Sequence, residues 1–262
     1  MVSTSRSAPA KRQAYDADDI RVLEGLEPVR MRPGMYIGGT DLHGYHHLLR
    51  EILDNSIDEA INGHASAIHV VLDEDYRGVS IEDDGRGIPV AIMKKVGRPA
   101  VEVILCTLHA GGKFGGDSYD VSGGLHGVGS SVVNALSEEM SVVIKRDGFT
   151  HTQSYARGVP TTKVKRGAAT RATGTKVHFR PDAQIFGDAA RFDPRRIKDL
   201  LDAKAYLHPN VTLHFEDPKA DERLTFHHPE GLKEFLPRVV DQNKRTYVHK
   251  EVFHLEREDY PR

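Results

Sequence analysis

The sequence predicts an α+β fold, and three features point to it. Two long segments, 41–63 and 192–207, repeat apolar residues at helical spacing. Short β-rich runs are joined by turn residues. A glycine-rich stretch opens onto a helix without Walker A or Rossmann spacing. With 262 residues, 39% of them hydrophobic, the chain is long for one domain and short for two, which suggests one large domain with an appendage. Lys plus Arg is 36 and Asp plus Glu is 38, so the net charge of -2 excludes a dedicated basic nucleic-acid clamp. The single cysteine, Cys106, excludes an intrachain disulfide and a Cys-based zinc site, and a reducing compartment follows as the default. The N-terminus has no signal-peptide core, and no run approaches the ~20 apolar residues of a membrane span. A soluble, cytoplasmic protein without membrane contact is expected.

Taken in order, residues 1–14 are polar, carry Arg6, Lys11 and Arg12 without an acid, and read as a disordered tail. In 41–63, Leu48, Leu49, Ile52, Leu53, Ile57, Ala60 and Ile61 fall on one helical stripe, and Gly63 is a natural stop. Residues 67–72 and 79–82 are β-rich, with 73–78 as a hairpin connection. Residues 101–108 look helical, and Cys106 within them reads as a core residue. Eight of the 24 glycines then fall between Gly111 and Gly129. A helix is expected over 130–137 and strands over 140–146, 151–155 and 175–180, with Asp147-Gly148 as a hairpin turn. The helix over 192–207 starts after Asp193-Pro194, a cap followed by a good first residue. Residues 211–216 form another strand, and beyond Pro229 the pattern weakens.

Three places carry chemistry. Glu51, Asn55 and Glu59 stand four apart, share one helix face, and are flanked by Asp54 and Asp58. A solvated face is the ordinary meaning of such a stripe. Two features count against it: Asn is a poor helix former, and a solvated face would set Lys opposite Glu, whereas 51–60 holds no Lys or Arg. An acid-and-amide face without partners suits a divalent cation and a water. The run Glu82-Asp83-Asp84-Gly85-Arg86-Gly87-Ile88-Pro89 follows a strand. Alone it is a plain acidic turn. As a site, one carboxylate accepts a hydrogen bond from a ligand amino group, and Gly87 lets a flat ring approach the backbone. Gly123-Gly124-Leu125-His126-Gly127-Val128-Gly129 leads straight into an apolar helix, so its amides suit phosphate, with Lys113 adding a cation. The run is not a Walker A loop, because Phe114 follows Gly112-Lys113. The 15 histidines contain no HExxH, and the neighbours His46 and His47 face different ways on a helix, so no zinc site is expected.

These pieces, in this order, resemble the ATPase region of the B subunit of bacterial type IIA DNA topoisomerases, gyrase and topoisomerase IV. The larger family also holds Hsp90, histidine kinases and MutL. The resemblance runs from about residue 19 to about 240 and rests on 26–38 (LEPVRMRPGMYIG), 51–60, 83–89, 108–114, 122–136 and 173–177. The run SGGLHGVGSSVVNALSE is its most specific part. It implies a two-layer α/β sandwich of the GHKL (Bergerat) type, with a mixed, mostly antiparallel sheet covered by helices on one face. It also implies an N-terminal arm over 1–18, an ATP-binding domain over 19–240, and the start of a transducer domain over 241–262. Whole B subunits are longer. Their transducer carries a lysine for the γ-phosphate, and a DNA-cleaving metal-binding domain follows, so this chain is expected to bind ATP better than it turns it over.

By the same resemblance the cofactors are ATP and Mg²⁺. Glu51 is the general base for the attacking water, and Asn55 holds the metal. Asp83 accepts the adenine amino group, with Thr175 assisting through water. Arg86 pairs with Glu59 and walls the adenine pocket with Gly87, Ile88 and Pro89. Gly111, Gly112 and Lys113 belong to a lid, and Tyr119 contacts the nucleotide. Gly124 opens the phosphate-binding run, in which Leu125, His126, Gly127, Val128 and Gly129 give backbone amides. Arg146 stands at the pocket mouth used by aminocoumarin inhibitors. The implied partners are a second copy, joined through the N-terminal arm with Tyr15 as its aromatic anchor, an A-type subunit, and DNA through the full assembly. Residues 199–207, Val103-Ile104-Leu105-Cys106 and the short loop 93–99 look more like topoisomerase IV than gyrase. The alternative is a GHKL nucleotide switch without catalysis that regulates a protein partner, but a base beside Asn55 favours an enzyme.

Overall fold

The structure is a computed structural model that describes residues 24–110, 127–246 and 253. Two short helices, α1 (Glu27–Met31) and α2 (Gly34–Ile37), lead into the long α3 (Leu42–Ile61). Asp41 caps α3 by accepting from the Gly44 amide at 3.0 Å, and Gly63, at φ 73°, turns the chain out of it. Leu48, Leu49, Leu53 and Ile57 are fully buried, which places the predicted apolar stripe on the core.

The strands follow as β1 (Ala67–Leu72), β2 (Val79–Asp83) and the small hairpin β3 (Ile92–Met93) and β4 (Arg98–Pro99). Next come α4 (Ala100–Cys106), α5 (Gly129–Ala135), β5 (Ser137–Arg146), β6 (Phe149–Ala156), β7 (Val159–Pro160), β8 (Lys165–Ala169) and β9 (Gly174–Pro181). The remainder is α6 (Ala183–Phe186), α7 (Pro194–Leu207), β10 (Thr212–Asp217), β11 (Glu222–Phe226) and α8 (Leu232–Gln242). Among the described residues nine strands form one sheet in the order β11-β10-β1-β2-β9-β5-β6-β7, with β8 also on β6. Among the described residues only β1 and β10 pair in parallel; the other ladders are antiparallel. Buried and half-exposed residues alternate along β2, β9 and β10, so one face of the sheet meets the core and the other faces solvent. The expected mixed, mostly antiparallel sheet with helices is observed. No helix among the described residues is long and apolar enough to cross a membrane.

Some boundaries differ from expectation. The helix placed over 130–137 spans Gly129–Ala135, and Ser137 already belongs to β5. The change is abrupt because the Ser137 hydroxyl donates back to Val133 O at 2.7 Å while its own carbonyl accepts from Arg157 N. The segment beyond Pro229, where the pattern weakens, contains α8, which accommodates Pro237. The short β11 is likewise absent from the sequence expectation, since its residues alternate between half-exposed and exposed and it carries two charges.

One buried carboxylate ties three parts of the fold together. The fully buried Asp182 side chain accepts from Arg30 at 2.8 Å, Arg157 at 2.7 Å and the Gln184 amide at 3.0 Å. Burial alone raises its pKa, but the bonds from Arg157, Gln184 and Arg30 outweigh that and hold the carboxyl below its ordinary value. Asp182→Ala is expected to cost about 2–4 kcal/mol, since charge-assisted hydrogen bonds are lost and the guanidinium groups must find water. Urea titration reads this loss. A carboxyl with a depressed folded pKa stabilises above its unfolded pKa and stops doing so as the pH falls through the folded value. The penalty of the variant should therefore shrink in acid, and one that persists undiminished there would exclude the charge as its origin.

Candidate nucleotide site

The acid–amide stripe lies along one edge of α3. Burial of Ile52, Leu53, Ser56 and Ile57 against the core leaves Glu51, Asn55 and Glu59 half-exposed. The stripe holds no Lys or Arg of its own, but it does not lack partners: its own helix, other elements and the expected Arg86 supply them. Glu51 Oε1 lies 3.0 Å from His47 Nε2, one turn earlier on the same helix. The Asn55 amide donates to Glu51 O and to Ser130 Oγ, both at 2.9 Å. Glu59 takes three hydrogen bonds from Arg86, namely the backbone N and Nε on Oε2 at 3.1 Å each and Nη2 on Oε1 at 2.8 Å. Lys204 of α7 pairs with Asp54 at 2.7 Å. His46 points elsewhere, and its Nε2 accepts from Asp193 N at 2.8 Å.

The start of α5 faces Glu51. A Cβ at Gly129 would overlap the Glu51 carboxylate oxygen, so glycine at this position is what lets the carboxylate lie there.

Asp83 ends β2 and is paired in register with Thr175 of β9. Its side chain is buried. Oδ2 accepts from Ser56 Oγ at 2.9 Å, and Oδ1 from the amides of Gly85 at 3.0 Å and Thr175 at 3.3 Å. Burial pushes the carboxyl up to about 6, despite the lowering effect of these three donors. The neighbouring Asp84 instead closes a turn, accepting from Ser66 N, Ser66 Oγ and Ala67 N. The Thr175 hydroxyl accepts from Ile88 N at 3.1 Å, which holds the 85–89 turn beside β9. Gly87, at φ 76°, lies so close to the sheet that a Cβ would stand 2.9 Å from Lys145 O. Arg146 Nη1 donates to Gly87 O at 2.6 Å.

The structure thus brings Glu51, Asn55, Glu59, Asp83, Arg86, Gly87, Ile88, Arg146, Thr175 and Gly129 around the region between α3, the end of β2 and the start of α5. Gly127 has φ 58°, and Val128 occupies the N-cap position of α5. Gly111, Gly112, Lys113, Tyr119, Gly124, Leu125 and His126 lie outside the described residues. Sequence reasoning missed His47, Ser56 and Ser130. The spacing of four between His47 and Glu51 was the available signal for the first. The described residues contain no group of three or more His, Cys, Asp or Glu able to hold a metal. A cation here would rest on one amide oxygen and on phosphate and water, the donor set Mg²⁺ takes beside nucleotides, so the residues fit Mg²⁺.

A mixed, mostly antiparallel sheet with such a helix packed against its β1, β2 and β9 strands is the arrangement of an ATP-binding domain of the GHKL class. The chain belongs to the family described as histidine kinase-, DNA gyrase B-, and HSP90-like ATPase, whose profile matches residues 40–185. Within that family it is similar to B subunits of both type IIA enzymes. It is 47% identical to the B subunit of DNA gyrase from Halalkalibacterium halodurans over 249 residues, covering 95% of this chain and 39% of the relative. It is 51% identical to the B subunit of DNA topoisomerase 4 from Caulobacter vibrioides over 241 residues, covering 89% of this chain and 34% of the relative. The chain therefore spans little more than a third of the length of these relatives. The crystal structure of the 43K ATPase domain of Thermus thermophilus gyrase B, in complex with an aminocoumarin, superposes with a TM-score of 0.74 at 42% identity, covering 82% of this chain and 55% of that one.

Proposed function

We propose that the chain binds and hydrolyses ATP as the N-terminal module of the B subunit of a bacterial type II DNA topoisomerase. The observation that carries this reading is the Glu51 carboxylate, set one turn before Asn55 on α3, steadied by His47 and fitted against Gly129. Asp83 accepts the adenine amino group, with Thr175 beside it. The Glu59–Arg86 pair and the turn through Gly87, Ile88 and Pro89 wall the pocket. Gly111, Gly112, Lys113, Tyr119 and the 124–129 run contact the nucleotide and its phosphates. Glu51 orients the attacking water and takes its proton, and His47 holds the carboxylate in place. Asn55 would hold Mg²⁺, which when bound neutralises charge on the phosphate oxygens.

In this reading residues 1–18 form the arm that joins two copies when ATP binds, 19–240 the ATP-binding domain and 241–262 the start of the transducer. The dimer clamps DNA for strand passage, together with an A-type subunit, in the cytoplasm. Topoisomerase IV is favoured over gyrase by the 199–207 run, by Val103-Ile104-Leu105-Cys106 and by the short loop 93–99. The aminocoumarin in the Thermus thermophilus complex supports an inhibitor site here, with Arg146 at its mouth.

Calorimetric titration with a non-hydrolysable ATP analogue, followed by hydrolysis assays, tests the reading; a chain that binds no adenine nucleotide would sink it. Gly129→Ala is a sharper probe. The added methyl meets the far end of a flexible side chain, so the carboxylate moves and the fold stays. The melting temperature should hold within a few degrees, while single-turnover hydrolysis falls at least ~10-fold, part of what a misplaced general base costs. Normal turnover in this variant would remove the carboxylate's seat from the mechanism.

A further inference from the structure

We propose that the cleft between α3 and α7 is a binding site for a small organic anion, a carboxylate carried on an apolar ring, held by Arg50 and Arg196. The proposal is independent of the ATP reading.

The two helices are joined on either side of this cleft. On one side the His46 ring is bonded through both nitrogens. A backbone N–H only donates, so Nε2 accepts from Asp193 N at 2.8 Å, and the ring proton on Nδ1 goes to Leu42 O at 2.8 Å. Burial holds the pKa of this ring below its ordinary value, so His46 stays neutral and acts as a strut. On the other side Asp54 pairs with Lys204 at 2.7 Å. His46, Arg50 and Asp54 are spaced by four and share one stripe of α3. The outer two cross to α7 and the middle one does not. Among the described residues the Arg50 guanidinium takes part in no hydrogen bond or ion pair. Beside it α7 contributes Ile197, Leu200 and a second arginine, Arg196. Arg196 Nε stands 3.7 Å from Asp193 Oδ2, too far for a hydrogen bond. Asp199, the one carboxylate among the residues lining the cleft, is exposed and pairs with neither arginine.

Two guanidinium groups thus flank an apolar floor of Leu49, Ile197 and Leu200 between walls that are already fixed. The planar donor forks of arginine match a carboxylate, and the floor takes an apolar body. A bare inorganic anion would leave the floor uncovered, and a hydrocarbon would leave the arginines unmet. The cleft of about 310 Å³ suits one or two rings. It is separate from the nucleotide site, because its stripe on α3 lies about 100° round the helix from Glu51, Asn55 and Glu59.

The test is calorimetric titration of the full chain with 2-naphthoate, with 2-naphthylmethanol as the uncharged counterpart and inorganic phosphate as the bare anion. 2-Naphthoate should bind about tenfold or more tightly than either, the scale of a charge-assisted hydrogen bond added to apolar burial. Arg50→Gln and Arg196→Gln should each weaken it about tenfold. Their melting temperatures should match the parent, since both side chains are exposed. A saturating non-hydrolysable ATP analogue should leave the affinity unchanged. Equal binding of the alcohol overturns the role of the charge, and equal binding of phosphate overturns the role of the floor. Parent affinity in both arginine variants, or displacement by the nucleotide analogue, puts the ligand elsewhere and overturns the site. No binding at millimolar 2-naphthoate overturns the proposal outright.

Discussion

Glu51→Gln is expected to bind ATP as the parent does and to hydrolyse it about 10²–10⁴-fold more slowly, the usual worth of a general base. Gln keeps the size and hydrogen-bonding reach of the carboxylate but cannot take a proton. The place beside Gly129 stays filled, and the geometry that His47 maintains is disturbed little. In the proposed mechanism binding survives because this side chain handles the water, and the adenine contact lies at Asp83. The measurement is single-turnover hydrolysis at saturating nucleotide, with affinity measured separately. His47→Ala should fall between parent and Glu51→Gln, since it loosens the base without removing it. Parent-rate hydrolysis in Glu51→Gln would leave the non-catalytic switch as the better account.

Asp83→Asn should weaken nucleotide binding by about tenfold or more while leaving the protein as stable as the parent, or more so, at neutral pH. The reason lies in which oxygen is already occupied. Oδ1 receives two backbone amides, so the amide nitrogen of Asn must replace Oδ2, next to Ser56 and, in the proposed site, the oxygen that meets the adenine. A donor then opposes the adenine amino group, and the unmade bond costs roughly 1–3 kcal/mol. Stability moves the other way because the folded protein raises this carboxyl to about 6. Between the unfolded value near 3.8 and the folded value near 6, the native state holds a proton that the unfolded chain has released, so stability falls as pH rises through that window. Above it the ionised carboxylate costs the fold on the order of 2–3 kcal/mol, which a neutral amide avoids. Protonation should weaken nucleotide binding in the parent for the same reason as the amide, so affinity drops as pH falls below about 6, and Asp83→Asn should lose that dependence. Calorimetry from pH 5 to 8 checks both; a variant that binds like the parent at every pH would take Asp83 out of the site.

Much of this arrangement is legible in the sequence because its signals are local. The spacing of Glu51, Asn55 and Glu59 follows directly from helical geometry, and the strand-end position of Asp83 follows from the β-rich run before it. Asp193-Pro194 marks its helix start with a side-chain cap on the Arg195 amide and a proline in the first turn, and Asp147-Gly148 marks its hairpin with two residues at positive φ. What escaped depends on tertiary neighbours. Nothing near Asp54 announces Lys204, and nothing near Asn55 announces Ser130, since both meet only when α7 and α5 dock on α3. The Arg86–Glu59 pair did not escape: the resemblance implied it, and the turn after β2 folds back to the helix to make it. The helix α8 was hidden by Pro237, although Leu232, Phe235, Leu236, Val239 and Val240 keep a helical period.

The sheet order also determines when the pocket can exist during synthesis. Asp83 closes against Thr175, 92 residues later in the chain. Its neighbour β1 must wait for its parallel partner β10, which begins at Thr212. As the chain leaves the ribosome, α3 and the β1–β2 hairpin can form early from local contacts. The strands that complete the pocket emerge seconds later, at about 5–20 residues per second. Until then β2 has an open edge and the Asp83 carboxylate lies in water, with an ordinary acidity. The burial that later makes this group costly arrives together with the contacts that hold it, so the nascent chain never has to bear an uncompensated buried charge. The waiting edges of β1 and β2 are its exposed hazard, and non-local pairing of this kind makes for slow completion of the fold.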